Sequence, residues 1–223
     1  MINNLKRLIS HLPARYQQVL KRIYFKRQIK RGIFRSGEIE FDRLDEWVSA
    51  GDWVLDIGAN VGHYSLRLSK IVGAAGRVIS FEPAPQTFEL LSANMSLSPY
   101  RNISLLNAAV SEAAGLAGLN IPKCIGTGLD NCYEARLTKD GTGLSVLCVA
   151  IDSLGIPKPV KLVKIDVEGD EISVLKGMKG LIGRDHPVLI IEGHSDELAS
   201  YLGSFGYSFE ETKGSPNRVF SAS

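Results

Sequence analysis

From Trp53 onward, unbroken apolar runs alternate with stretches in which apolar residues return every three or four positions. The runs are WVLDIG (53–58), RVISFE (77–82), ISLLNAAV (103–110), KLVKIDV (161–167) and PVLIIEG (187–193), followed by YSFEE (207–211) and RVF (218–220). Helical spacing covers 64–72, 85–95, about 170–182 and about 195–204. Continuous apolar strands between amphipathic helices predict a doubly wound α/β domain whose mostly parallel sheet is covered on both faces. Residues 111–150 break this rhythm. They are rich in Gly, Thr and small residues, LSVLCVAI (144–151) is their best strand, and together they predict a hairpin-like insertion.

Upstream, Leu5, Leu8, Ile9, Leu12, Tyr16, Val19, Leu20, Ile23 and Tyr24 recur at helical spacing. Pro13 divides this stretch or starts its second helix, and Gly32 with Ser36-Gly37 ends it. A helix over 41–49 then leads to the Gly51-Asp52 turn. The expected organisation is a helical arm over 1–37 and a domain over 38–223.

Charge sharpens that division. Residues 1–35 hold ten Lys/Arg and no Asp or Glu, so the remainder carries 26 − 10 = 16 basic and 24 acidic residues, a net of −8. A nucleic-acid-binding domain places its positive charge on the folded body, which this chain does not. With 44% hydrophobic and 22% charged residues over 223 positions, the chain has the composition of a soluble globular domain. No run matches a membrane span, and the basic N-terminus lacks the apolar core of a secretory signal. Cys124, Cys132 and Cys148 have neither paired nor metal-ligand spacing, which favours free thiols in a cytoplasmic setting.

Candidate chemistry lies at the strand ends. DIGANVG (56–62) follows the first strand, where doubly wound sheets bind ligands. Gly58 and Gly62 would let backbone approach a ligand. Asn60 stands where a dinucleotide fingerprint wants glycine, which weakens a pyrophosphate site, and an NAD-dependent dehydrogenase is the alternative reading. Asp56 is expected to accept hydrogen bonds from an amino-bearing ligand, and Glu82, closing the second strand, to take two ribose hydroxyls.

VLDIGANVGHYSL, VISFEPAPQTFELLSANM, NAAVS and KIDVEGDEISVLKG, in that order, resemble the FkbM-type methyltransferases, a branch of the S-adenosylmethionine-dependent class I enzymes. The resemblance covers about 38–210. It implies a seven-stranded sheet, parallel except for its last-inserted strand. It further implies S-adenosylmethionine held by Asp56, Gly58, Asn60, Gly62 and Glu82, with Asn107, Ala108 and Ala109 beside the adenine.

On this reading LVKIDVEGDE (162–171) ends a core strand with its acids facing the transferred methyl. Asp166 is the expected base or hydroxyl-positioning group, and Lys164, two residues back on the same face, keeps it ionised. Glu192 and His194, at the neighbouring strand end, complete the catalytic candidates. His63 is a weaker imidazole candidate. Asp170 and Glu171 suit the first turn of the next helix, and Glu168 fits either role. Asp166 and Glu192 offer oxygens to magnesium, but no defined cage is visible and no metal is assigned. The expected reaction is O-methylation of a hydroxyl on a sugar, glycan or polyketide-like acceptor, and a non-catalytic S-adenosylmethionine-binding adaptor is a further alternative. For the arm, three roles stay open: a lid over the site, a homodimer contact, or a peripheral helix at the inner membrane surface.

Overall fold

The computed structural model describes residues 12–124, 131, 134–138 and 140–222. Leu5, Leu8, Ile9, His11 and Cys132 lie outside them. Helix α1 (Ala14–Lys30) follows Pro13 and stops where Gly32 takes a positive φ, a common helix ending. The helix expected over 41–49 is two single turns, α2 (Ile39–Asp42) and α3 (Leu44–Trp47). Strands β1 (Trp53–Ile57), β2 (Arg77–Phe81) and β3 (Ile103–Leu106) then alternate with helices α4 (His63–Val72) and α5 (Pro85–Met95).

ISLLNAAV does not form one strand. Asn107 donates its side-chain amide to the carbonyls of Glu82 (2.8 Å) and Pro83 (3.0 Å), turning the chain away from β2. Beyond it, β4 (Ala109–Val110) joins β5 (Gly115–Asn120), β6 (Arg136–Thr138) and β7 (Leu144–Val149) in a separate sheet of order β4-β7-β5-β6. The expected hairpin-like insertion is therefore a four-stranded layer of its own.

The chain re-enters the main sheet with β8 (Val160–Ile165) and β9 (Val188–Glu192), followed by β10 (Tyr207–Glu211) and β11 (Asn217–Ala222). Between these strands lie α6 (Glu171–Gly177), α7 (Lys179–Asp185) and α8 (Asp196–Gly203). The segment expected as one helix over 170–182 breaks at Met178. A side chain on Gly177 would overlap the carbonyl of Ser111, so glycine there lets the β4 end lie against the helix.

The seven strands run β10-β11-β9-β8-β1-β2-β3, and β11 alone is antiparallel to its neighbours. Successive side chains point to opposite faces, and both faces are covered, so the strands read as continuous apolar runs. Leu55, Ile57, Val163 and Ile165 pack against Val174, Leu175, Leu181 and Leu202 on one side. Val54, Leu162, Ile190 and Val219 pack against Leu44, Tyr64 and Leu68 on the other. Truncating a fully buried leucine in either layer costs about 2–5 kcal/mol. These layers fix the strand ends relative to one another, and the strand ends build the site.

Candidate active site

The carboxyl ends of β1, β2, β8 and β9 surround a cleft of about 260 Å³. Asn60, Glu82, Asp166, Glu168 and Glu192 line it, with Ala108, Ala109, Leu119 and Leu137 supplying an apolar wall. Asp166 follows β8 directly, and its N–H donates to the Ile57 carbonyl (3.0 Å), so the ends of β1 and β8 are tied together.

At the β2 end, Glu82 is held by two backbone donors, Asn60 N–H and Ala84 N–H, each at 2.9 Å. Asn60 can present its N–H this way because it adopts a left-handed φ of 50°, which asparagine tolerates. Burial pushes the Glu82 carboxyl up to about 7, against the pull of the two N–H donors. The carboxyl still lines the cleft, ready for further donors.

Asp56 lies elsewhere. It is buried, takes a hydrogen bond from the Ser65 hydroxyl, and is absent from the residues lining the cleft. Ser65 is in turn 2.8 Å from the Ser80 hydroxyl. Burial raises the Asp56 carboxyl to about 6, with the Ser65 hydrogen bond and Lys164 opposing. The expected ligand-facing acid is thus a structural acid tying β1 to α4. Gly58 and Gly62 make room for protein: a side chain at Gly58 would overlap the Asp166 carbonyl, and one at Gly62 would meet Met95 and Leu91. Both also hold positive φ. Gly58 borders the cleft, whereas Gly62 does not. Ala108 and Ala109 line the cleft, whereas Asn107 acts from outside it by shaping the turn.

At the β8 and β9 ends the acids face each other. Burial alone would raise Asp166. The Lys164 ammonium and hydrogen bonds from Glu192 and Lys164 outweigh it and hold Asp166 below the ordinary carboxylate range. Its partner moves the other way: the hydrogen bond shared with Asp166, then burial, pushes Glu192 well up. Because the shift of each depends on the other, the pair titrates as a unit. Burial, then Asp166, raises Glu168 as well, opposed by Arg136 at 3.6 Å.

Lys164 is fully buried, as a lysine is only when paired. Its Nζ lies 2.9 Å from Asn217 Oδ1, 3.5 Å from Asp166 Oδ2, 4.0 Å from Glu38 Oε2 and 5.5 Å from the centre of the Tyr64 ring. Glu38 Oε2 accepts hydrogen bonds from Tyr64 Oη (2.6 Å) and Asn217 Nδ2 (2.9 Å). Glu38, Tyr64 and Asn217 were not among the sequence candidates. Glu38 carried a faint signal as the first acid in the sequence, directly after the Ser36-Gly37 boundary. Asn217 carried none, since only the antiparallel pairing of β11 with β9 brings it opposite Glu192.

The remaining candidates separate. His194 is exposed and outside the cleft. His63 stacks on Phe34 at 4.2 Å between ring centres, and burial lowers its basicity, so it packs the arm onto the body. Asp170 stands at the N-cap position of α6, where its carboxyl accepts from the Ser173 (2.7 Å) and Ser111 (3.1 Å) hydroxyls, while also bordering the cleft. Asp166, Glu168 and Glu192 each offer an oxygen within 4.8 Å of the others, a donor set of the type hard divalent cations use.

A sheet of this order with β11 alone reversed, carrying its acids at the β1, β2 and β8 ends, is the fold of the class I methyltransferases. The chain belongs to the FkbM methyltransferase family, whose domain model (Methyltransferase FkbM domain) matches residues 56–209. It is 29% identical over 175 residues to the hexuronic acid methyltransferase AglP of Haloferax volcanii, covering 76% of this chain and 69% of that protein. The crystal structure of a methyltransferase FkbM from Methylobacillus flagellatus superposes with a TM-score of 0.54 at 16% identity, over 76% of this chain and 43% of that one. Aeropyrum pernix fibrillarin, solved with bound S-adenosyl-L-methionine, shares the fold with a TM-score of 0.51 at 14% identity, over 79% of this chain and 68% of that one. Membership in this family sets aside the dehydrogenase alternative.

Proposed function

We propose that the chain is an S-adenosylmethionine-dependent methyltransferase that methylates a hydroxyl oxygen of a sugar-type acceptor. The observation carrying this is the convergence of Glu82 with the Asp166–Glu192 pair on one cleft, at the ends of strands two and three positions apart in the sheet. Glu82 would hold the cofactor's ribose hydroxyls: it already has two fixed N–H donors, and lines the cleft beside an apolar wall suited to adenine. Bound there, the cofactor supplies an electrophilic methyl group carried on a sulfonium.

The chain's own contribution is alignment and proton handling. Lys164 keeps Asp166 ionised as an acceptor for the substrate hydroxyl, and Asn217 and Glu38 fix the Lys164 ammonium. The Asp166–Glu192 pair takes up the proton that the hydroxyl loses. Asp166 alone, held at a low pKa, is a weak base near neutrality. Glu192, once ionised, is the stronger one. The acceptor would enter from a wider hollow beside the inserted sheet, which shares Leu137, Glu168 and Asp170 with the cleft. A sugar acceptor accords with the activity named for AglP. The intact acids argue against a non-catalytic adaptor.

A labelled-methyl assay across uronic acids, neutral sugars and polyketide-type alcohols tests the reading. Label on a sugar oxygen is expected. Label confined to nitrogen or carbon would overturn O-methylation, and isothermal titration with S-adenosylmethionine tests cofactor binding separately.

A further inference from the structure

Helix α1 lies on the outside of α5. Gln18 donates its side-chain amide to the Gln86 carbonyl (2.7 Å), Arg22 pairs with Glu89 (3.5 Å), and Phe25 and Ile29 pack into the cluster formed by Leu90, Leu91 and Met95. None of its residues lines the catalytic cleft, so this helix is not a lid.

At 100° per residue, Gln18, Arg22, Phe25 and Ile29 share one face; Tyr16, Leu20 and Tyr24 lie opposite it, and Val19 and Ile23 lie beside them, bordering a groove against Ala93, Asn94 and Leu97. These five side chains are between 39% and 58% exposed. A contiguous apolar strip of this kind on a folded chain marks an interaction surface. Exposed Arg15, Lys26, Arg27, Lys30 and Arg31 accompany it, and residues 1–35 contain no acid to neutralise them.

We propose that the outward face of α1 docks on an anionic lipid surface, with the apolar strip at the acyl boundary and the flanking cations against the headgroups. The charge pattern selects this occupant. A second copy meeting through a two-fold axis would set the same patch against itself and place these cations against each other. An anionic bilayer complements them and accepts the apolar strip, and the two tyrosines have the amphipathic rings that favour the interface. The body-facing side of α1 is already occupied, so docking needs no rearrangement of the fold.

Sedimentation of the full chain with vesicles tests this, using phosphatidylcholine alone and phosphatidylcholine mixed with phosphatidylglycerol. Binding to the mixed vesicles is expected, weakening with added salt, with little binding to neutral vesicles. Lys26→Glu with Arg27→Glu should lower partitioning by about tenfold or more. Leu20→Ser with Ile23→Ser should do the same, and unchanged melting temperatures will show that both variants are folded. The proposal is overturned if the chain ignores anionic vesicles, or if binding survives both pairs of substitutions. It is equally overturned if the face instead supports self-association that Leu20→Ser with Ile23→Ser abolishes.

Discussion

The two halves of the strand-end rim use carboxylates in opposite ways. At the β1 and β2 ends, each acid is met by fixed donors from the scaffold: Asp56 by Ser65, and Glu82 by the N–H groups of Asn60 and Ala84. At the β8 and β9 ends, Asp166 and Glu192 meet each other, with one buried lysine balancing them. Acids with fixed donors make a rigid receptor whose charge state changes little of the geometry. Two acids sharing a proton make a group that can gain or lose one at small cost. The first arrangement suits holding a ligand, and the second suits moving a proton.

Gly58 is the seam between the halves, and the largest effect is expected there. In Gly58→Ala the new methyl must displace the Asp166 backbone while alanine is held at a φ of 78°. A loss of about 3 kcal/mol or more in unfolding free energy should follow, measured by chemical denaturation. A loss below about 1 kcal/mol would mean that the two strand ends are not rigidly coupled.

Within the proton-handling half, Asp166→Asn or Glu192→Gln should lower turnover by about 10²-fold, with S-adenosylmethionine affinity changed only a few-fold. Turnover of the unaltered protein should rise as pH climbs through the raised titration of Glu192, and Glu192→Gln should remove that limb. A pH profile identical in Glu192→Gln would transfer the base role to another group.

The receptor half should answer in binding. Glu82→Gln is expected to weaken S-adenosylmethionine by about tenfold, the scale of a lost charge-assisted hydrogen bond, in isothermal titration. Donors from a ligand favour the ionised carboxyl, so affinity of the unaltered protein should fall as pH drops below about 7. An affinity independent of pH in this range would detach Glu82 from the ligand.

The last effect concerns stability without ligand. Folding raises Glu82 from 4.5 to about 7, so the folded chain holds this proton more tightly than the unfolded chain. The resulting stabilisation is complete below the ordinary carboxylate value and disappears as pH rises to about 7. Relative to Glu82→Gln, the melting temperature of the unaltered protein should fall steadily across that interval, followed by calorimetry. Parallel curves for the two proteins would show that Glu82 does not titrate there.

Sequence by itself determined the sheet and the rim. The alternation of continuous apolar runs with helical spacing is a property of local chain geometry, and the run ends placed Glu82, Asp166 and Glu192 at strand ends without reference to distant residues. What each acid does there was decided by tertiary structure. Asp56 and Glu82 are both strand-end acids, yet Ser65 closes over one and leaves the other at the cleft. Lys164 was legible as a neighbour of Asp166 through the two-residue strand period. Its partners Glu38, Tyr64 and Asn217 come from segments up to 179 positions apart, joined by β11 pairing beside β9 and by the arm-to-body connection. No local pattern encodes such a meeting, because desolvation and hydrogen bonding depend on which surfaces are packed together. The break of ISLLNAAV into two sheets has the same origin. Its apolar pattern fits one long strand, and the Asn107 side chain, finding the Glu82 and Pro83 carbonyls only in the folded chain, turns it into two.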